Sequence, residues 1–374
     1  MSGKKRMAGL ELLRCVAMMM VIVLHYLGKG NLLPKLTEGE LDAVGAAAWL
    51  LESFCIVAVN VYMLISGYFL CTSSFKLSRL LQLLLQVWLY SVTFGILGAA
   101  TGVIAETPVD THYFLTLLFP ISMEHYWFMT AYVFLYLLLP FAGAGIKRMT
   151  KRQMQLALML LLITFCGLKS LLPVQFEKDV MGYDCLWYLC VFVTAAYIRR
   201  FGVPFLEKRR RAAALYIACC LLAFAGTMAL QFVFLRTGRL GRRIGMFIEY
   251  NHVLVLLAAV GLFGFFAKTE IKGKIAHVIN KVGPYTLGVY LLHQNLGLCH
   301  SWQNWLGADR ISNVGGLLLG TLLAVSVVFV CGILADMLRA GLMKGLHSLL
   351  CRVKAYRKLV ERIEKADSIF REAS

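Results

Sequence analysis

Charge is what this sequence has least of. Only 16% of its 374 residues are charged, against about 25% in a soluble globular domain. Metal-type cysteine spacing is missing as well. Eleven cysteines are present, but none forms a CxxC or a histidine-spaced pair, so no metal site is expected. Cys219 and Cys220 are neighbours on one helix, where a disulfide would be strained. The cysteines therefore read as small, buried apolar residues. No small-x-small cleavage site follows the first apolar block, and Arg14 interrupts that block. Despite the basic start at Lys4, Lys5 and Arg6, it is not expected to be a cleaved signal peptide. No internal repeat of the kind found in many secondary transporters stands out, and no second soluble domain is expected.

What is present is apolar surface in long blocks, 60% of the chain. Runs of about 18 or more apolar residues read as membrane helices. Ten spans are expected, at about 8–27, 46–70, 80–102, 126–146, 153–172, 183–198, 212–235, 248–266, 284–299 and 315–338. The fold class is therefore an all-α polytopic membrane bundle in contact with the lipid bilayer. Residues 111–122 are apolar but too short to cross, and suit a re-entrant or interfacial segment. Lysines and arginines concentrate in the start, in 147–152, 199–211 and 268–281, and in the tail. By the positive-inside rule these segments, and with them both termini, are cytoplasmic. The net charge of +18 is then topological and points to no nucleic acid. Residues 1–340 read as the membrane domain. Residues 341–374 read as a basic amphipathic tail helix on the inner leaflet, with Leu342, Leu346, Leu349, Val353, Tyr356, Val360 and Ile363 on one face. One outer loop runs against the charge pattern, carrying Arg236, Arg239, Arg242 and Arg243. It suits lipid headgroups or an anionic acceptor.

Ionisable residues inside spans are functional candidates by default. Residues 13–25 read LRCVAMMMVIVLH. Arg14 and His25 are eleven residues apart, close to three full helical turns, so they share one face of the first span. Arg14 lies about 9 Å in from the cytoplasmic side and His25 about 25 Å in. Snorkelling would account for Arg14 alone, and an interfacial ring for His25 alone. Together they present a cation low and an imidazole high. Glu52 on the second span falls at a depth similar to that of His25, where a carboxylate would orient the ring. Ser66 and Gly67, in ISGYFL, fall near the depth of Arg14, and Gly67 permits close helix approach. Lys76 and Arg79 follow as a basic cluster. With Arg14 they suit a phosphate cradle. Glu124, His125, Tyr126 and Trp127 open the fourth span, as an acceptor entrance or an aromatic belt. His293 lies in YTLGVYLLHQN near mid-membrane.

These motifs together resemble the membrane-bound acyltransferase 3 family, bacterial enzymes that O-acylate sugars and related envelope acceptors. The similarity rests on arginine, ten residues and histidine in ELLRCVAMMMVIVLH, on ISGYFL, on YWFM and on TLGVYLLH, in that order over nearly the whole chain. The family often carries Arg-x-Arg after the second span. Here FKLSRLL leaves Arg79, with Lys76 nearby, to stand in for it. Some relatives carry an added extracytoplasmic domain, and this chain resembles the stand-alone type. The resemblance implies an acyl-CoA donor, most often acetyl-CoA, reached from the cytoplasm of a bacterial inner membrane. It implies a glycan or other hydroxylated envelope acceptor, and an O-acetyltransferase as the enzyme. His25 is then the expected general base, oriented by Glu52. Arg14, Ser66, Lys76 and Arg79 are the expected donor-binding residues. The rival reading is a transporter or flippase that uses the same intramembrane charges. Acyl length and oligomeric state are open.

Overall fold

The computed structural model describes residues 7–103, 108–171 and 180–372. The basic start at Lys4–Arg6 and the last residue of the span expected at 153–172 lie outside these. Among the described residues the chain forms only helices and turns. In chain order the α-helices are α1 (Ala8–Lys29), α2 (Ala43–Cys55), α3 (Ala58–Leu70), α4 (Leu77–Thr101), α5 (Thr111–Leu118) and α6 (Trp127–Arg148). Then come α7 (Lys151–Leu162), joined by a π-helical segment (Ile163–Gly167) to α8 (Leu168–Leu171), α9 (Cys185–Phe201), α10 (Arg209–Thr237) and α11 (Val253–Ala267). Last are α12 (Gly273–Val282), α13 (Thr286–His293), α14 (Trp302–Trp305), α15 (Val314–Leu350) and α16 (Lys354–Glu372).

Short polar side chains start many of these helices. Asp42, Asp110 and Asp184 accept from backbone amides three residues on, and Thr150 with Gln153 forms a capping box. Each satisfies amides that a helix start leaves open. Gly102 and Gly238, both at positive φ, close α4 and α10.

Eight segments are long and apolar enough to cross a membrane: Ala8–Lys29, Ala43–Leu70, Leu77–Thr101, Trp127–Arg148, Lys151–Leu171, Arg209–Thr237, Gly241–Ala267 and Val314–Leu350. They coincide with eight of the ten expected spans. The other two are helical but shorter. The span expected at 183–198 is α9, 17 residues. The one expected at 284–299 is α13, only 8 residues, or about 12 Å. Asn295 explains the early stop: its Oδ1 accepts from Gly297 N at 3.0 Å, an Asx turn that competes with helix continuation. The expected boundary at 340 falls inside α15, which runs unbroken for 37 residues. The basic tail begins as a continuation of that helix and restarts as α16 after Cys351–Val353. Residues 111–122 form only the short α5.

The chain divides into two compact units. The first contains Met1–Tyr68, Met149–Pro284 and Trp302–Val327. Here α1 packs against α2, α11 and α12. Gly67 lets α3 approach α9 closely: a β-carbon there would lie 2.8 Å from Ala195 Cβ and 3.1 Å from Phe192 Cα. That is the small-residue contact typical of membrane helices.

The second unit contains Phe69–Arg148, Tyr285–Ser301 and Val328–Ser374. Its α13 and α16 both pack on α4. Asp336 on α15 is buried and accepts from Arg339 Nε at 2.6 Å, Tyr90 OH at 3.0 Å and Gln86 Nε2 at 3.0 Å. The start of α4 has no side-chain cap from its own Lys76. Asp367 of α16 supplies one, bonding both the amide and the hydroxyl of Ser78. Phe370 adds an edge contact to Phe75, with ring centroids 4.8 Å apart.

Burial alone would raise the Asp367 carboxyl, but the Ser78 hydrogen bonds, the Leu77 amide and the Lys76 charge outweigh it. The group is held below its ordinary value. A depressed carboxyl stabilises the docked tail above its unfolded pKa, and that contribution fades as pH falls through the folded value. Asp367→Asn should therefore raise amide exchange across Lys354–Glu372 at pH 7. Wild-type exchange should rise toward the variant's below about pH 4. Equal exchange in both proteins at pH 7 would show that this contact does not hold the tail.

Candidate functional site

In the first unit, α1 is continuous from Ala8 to Lys29. The eleven-residue spacing of Arg14 and His25 thus becomes about 16 Å along one helix face. Both are half-buried between buried neighbours. Arg14 Nη1 pairs with Glu11 Oε2 at 3.1 Å, one turn earlier. Glu11 is buried against Gly283, where a β-carbon would lie 2.3 Å from its Oε2. Only glycine leaves room for the carboxylate there. Tyr62 OH on α3 donates to Arg14 O at 2.8 Å, which ties α3 to α1 beside the arginine. Around His25, Gln303 Nε2 donates to the backbone carbonyl of His25 at 3.3 Å. The adjacent Tyr26 donates to Leu306 O at 3.1 Å and stacks on Trp302 at 6.0 Å.

Glu52 lies on α2, its Oε2 sealed from solvent and without a hydrogen-bond partner among the described residues. It is within electrostatic range of Cys55, Tyr183 and Tyr250. Among the described residues no hydrogen bond joins it to His25. Ser66 is half-buried on α3, next to the Gly67 contact.

The same unit holds a buried polar cluster that reading the sequence did not single out. Lys169 is 1% exposed, yet its Nζ lies 2.6 Å from Glu249 Oε2 and donates to Asn251 Oδ1 at 2.7 Å. Asn60 links α3 to α9 and to the turn before α11: its Oδ1 accepts from Trp187 Nε1 at 2.9 Å and its Nδ2 donates to Tyr250 O at 2.7 Å. Ser170 Oγ accepts from Val253 N at 2.9 Å. Lys169 and Glu249 sit at the edges of apolar runs, and on sequence alone they read as loop and boundary charges. Glu11 has a plainer signal, a carboxylate three residues before Arg14, which is a helix-neighbour spacing.

In the second unit, two of the sequence motifs meet. His125 Nε2 lies 3.3 Å from Gln294 O and its ring stacks on Tyr126 at 3.9 Å. Tyr126 is fully buried. It donates to Leu291 O at 2.9 Å and accepts from Asn295 Nδ2 at 3.1 Å. Asn295 also reaches Tyr90 O and Ser91 O. EHYW and LLHQN are thereby fastened together. His293 is buried, and its Nδ1 donates to Val289 O at 2.6 Å. In the neutral ring the lone pair then belongs to Nε2. Trp127 is half-buried at the start of α6. Glu124 is exposed, in a left-handed turn with φ of 52°. Lys76 and Arg79 are exposed at the start of α4, and the backbone of Lys76 bonds the Tyr136 hydroxyl at 3.2 Å.

Among the described residues no group of three or more His, Cys, Asp or Glu is arranged to hold a metal. The family model described as "Acyltransferase domain" matches residues 7–336. Comparison with curated proteins and with solved structures gave no match.

The Arg14–Glu11 pair makes a direct prediction. A charged hydrogen bond contributes roughly 1.5–3 kcal/mol. Glu11→Ala removes the carboxylate and leaves a half-buried cation, so the thermal midpoint in detergent should fall. Glu11→Gln keeps an acceptor and should fall less. An unchanged midpoint in both variants would show that the pair contributes nothing to stability.

Proposed function

The chain belongs to the acyltransferase 3 family and is a multi-pass membrane acyltransferase. From that premise we propose that it moves an acyl group, in the first instance acetyl, from cytoplasmic acyl-CoA to a hydroxyl of a cell-envelope carbohydrate. The observation that carries this reading is α1. One unbroken helix bears a cation near one end and an imidazole about 16 Å further along the same face. Arg14 serves a donor phosphate, since a guanidinium presents several fixed N–H donors to phosphate oxygens. Glu11 and the Tyr62 hydroxyl hold that part of α1 in place. In the second unit, Lys76 and Arg79, exposed at the start of α4, are separate candidate cations for a donor phosphate. Ser66 offers a hydroxyl near Gly67.

His25 acts as general base. It takes the proton from the acceptor hydroxyl as that oxygen attacks the thioester carbonyl. The ester C–O bond forms, the C–S bond breaks, and the proton passes from His25 to the departing thiolate of CoA. Direct transfer and a transient acyl-histidine share these end states. Glu52 is the carboxylate proposed to favour the protonated ring. In the second unit, Glu124, His125, Trp127 and His293 are further candidates for acceptor contacts. On the proposed orientation both termini are cytoplasmic, and the membrane is a bacterial inner membrane. Family membership supports this reading over a transporter.

In proteoliposomes, His25→Ala should abolish acetyl transfer while isothermal titration still shows CoA binding. Arg14→Ala should weaken CoA binding by about tenfold or more, the equivalent of losing one charged hydrogen bond. Full activity in either variant would sink the role given to that residue. Substrate flux without any CoA binding would favour the transporter.

A further inference from the structure

We infer that the turn Glu249–His252 in the first unit is a recognition site for a hydroxyl-rich ligand, with His252 Nε2–H donating to a ligand oxygen. The ligand class rests on the acyltransferase reading: a sugar or polyol acceptor. The site itself rests on buried polar atoms that lack a hydrogen-bond partner among the described residues.

The first is on His252. The backbone amide of Leu254 donates to its Nδ1 at 3.2 Å. Nδ1 must then carry the lone pair, and in the neutral ring the proton is on Nε2. The residue is 2% exposed, and Nε2 has no hydrogen-bond partner among the described residues. A buried donor left unmet costs about 1–3 kcal/mol. The second is Glu52 Oε2, buried without a hydrogen-bond partner among the described residues and in electrostatic range of Tyr250.

The surroundings are built to hold this turn still. Asn60 takes the Tyr250 carbonyl and the Trp187 indole, while Lys169 takes Glu249 and Asn251. Lys169 is brought there just after the π-helical segment Ile163–Gly167, a local widening that is frequent at functional sites. The turn is non-helical backbone inside the apolar segment Gly241–Ala267. At membrane depth such backbone is tolerated only inside protein or beside a polar cavity.

The open N–H needs an acceptor, which a ligand hydroxyl supplies. The Tyr183 and Tyr250 rings, 4.8 Å apart, add apolar faces suited to the C–H side of a sugar.

The test uses the full chain in detergent, with methyl β-D-glucopyranoside as the hydroxyl probe and acetyl-CoA as the donor. His252→Asn separates the two roles of the histidine. Asparagine is a good helix N-cap and keeps the bond to Leu254 N, but it lacks the imidazole Nε2–H. The expected result is a near-normal thermal midpoint and unchanged acetyl-CoA affinity, with the glycoside-induced rise in midpoint weakened about tenfold in concentration. Equal glycoside response in variant and wild type overturns the proposal. So does a wild type that binds acetyl-CoA but shows no glycoside response, since a buried water would then account for both atoms. A wild type that binds no acetyl-CoA contradicts the donor assignment instead. The glycoside arm still decides this site alone, a response upholding it and no response overturning it.

Discussion

A charge in an apolar medium must be neutralised or hydrogen-bonded, and the arrangement around Arg14 follows from that requirement. The guanidinium is half-buried on α1, and Glu11 one turn earlier answers it at 3.1 Å. That carboxylate fits only because residue 283 has no side chain. The pair therefore dictates how closely α1 and the end of α12 approach. Tyr62 adds a bond to the carbonyl of Arg14 and sets α3 against the same turn. A cation held this way is not free to snorkel. It keeps a fixed place on the helix face that also carries His25.

Polar side chains do similar work elsewhere in each unit, with different partners. In the first, Asn60 and Lys169 each hold the turn before α11 through two hydrogen bonds or ion pairs. In the second, Asn295 ends α13 and at the same time grips α4 and Tyr126. Buried networks of this kind fix geometry because leaving any one member unmet is costly. His252 Nε2 and Glu52 Oε2 are buried atoms that find no hydrogen-bond partner among the described residues. The proposed hydroxyl site follows from that contrast.

The apolar blocks made most of the fold legible. Eight expected spans reappear because a run of twenty apolar residues has few other ways to satisfy its backbone in lipid. Hydropathy misjudged one length, since it cannot see a side chain capturing backbone: α13 stops where Asn295 takes the Gly297 amide. The shared face of Arg14 and His25 was legible because helix geometry alone decides it. The partnership of Glu11 with Arg14 is equally local, but Glu11 sits at the edge of the apolar run and reads as a flanking charge. Lys169 and Glu249 were hidden for a different reason. Eighty residues separate them, and only tertiary packing brings them to 2.6 Å. The junction of EHYW with LLHQN was invisible on the same ground. The expected contact of Glu52 with His25 required knowing how α2 turns about its axis, and no periodicity gives that.

The central claim is that an acyl group is handed from one membrane face to the other along α1. Oriented proteoliposomes test it most directly, with acetyl-CoA confined to one side and a glycan acceptor to the other. The account predicts transfer only when the donor is on the side of the α1 N-terminus and the acceptor is opposite. Transfer at an equal rate with both substrates on the same side would contradict it.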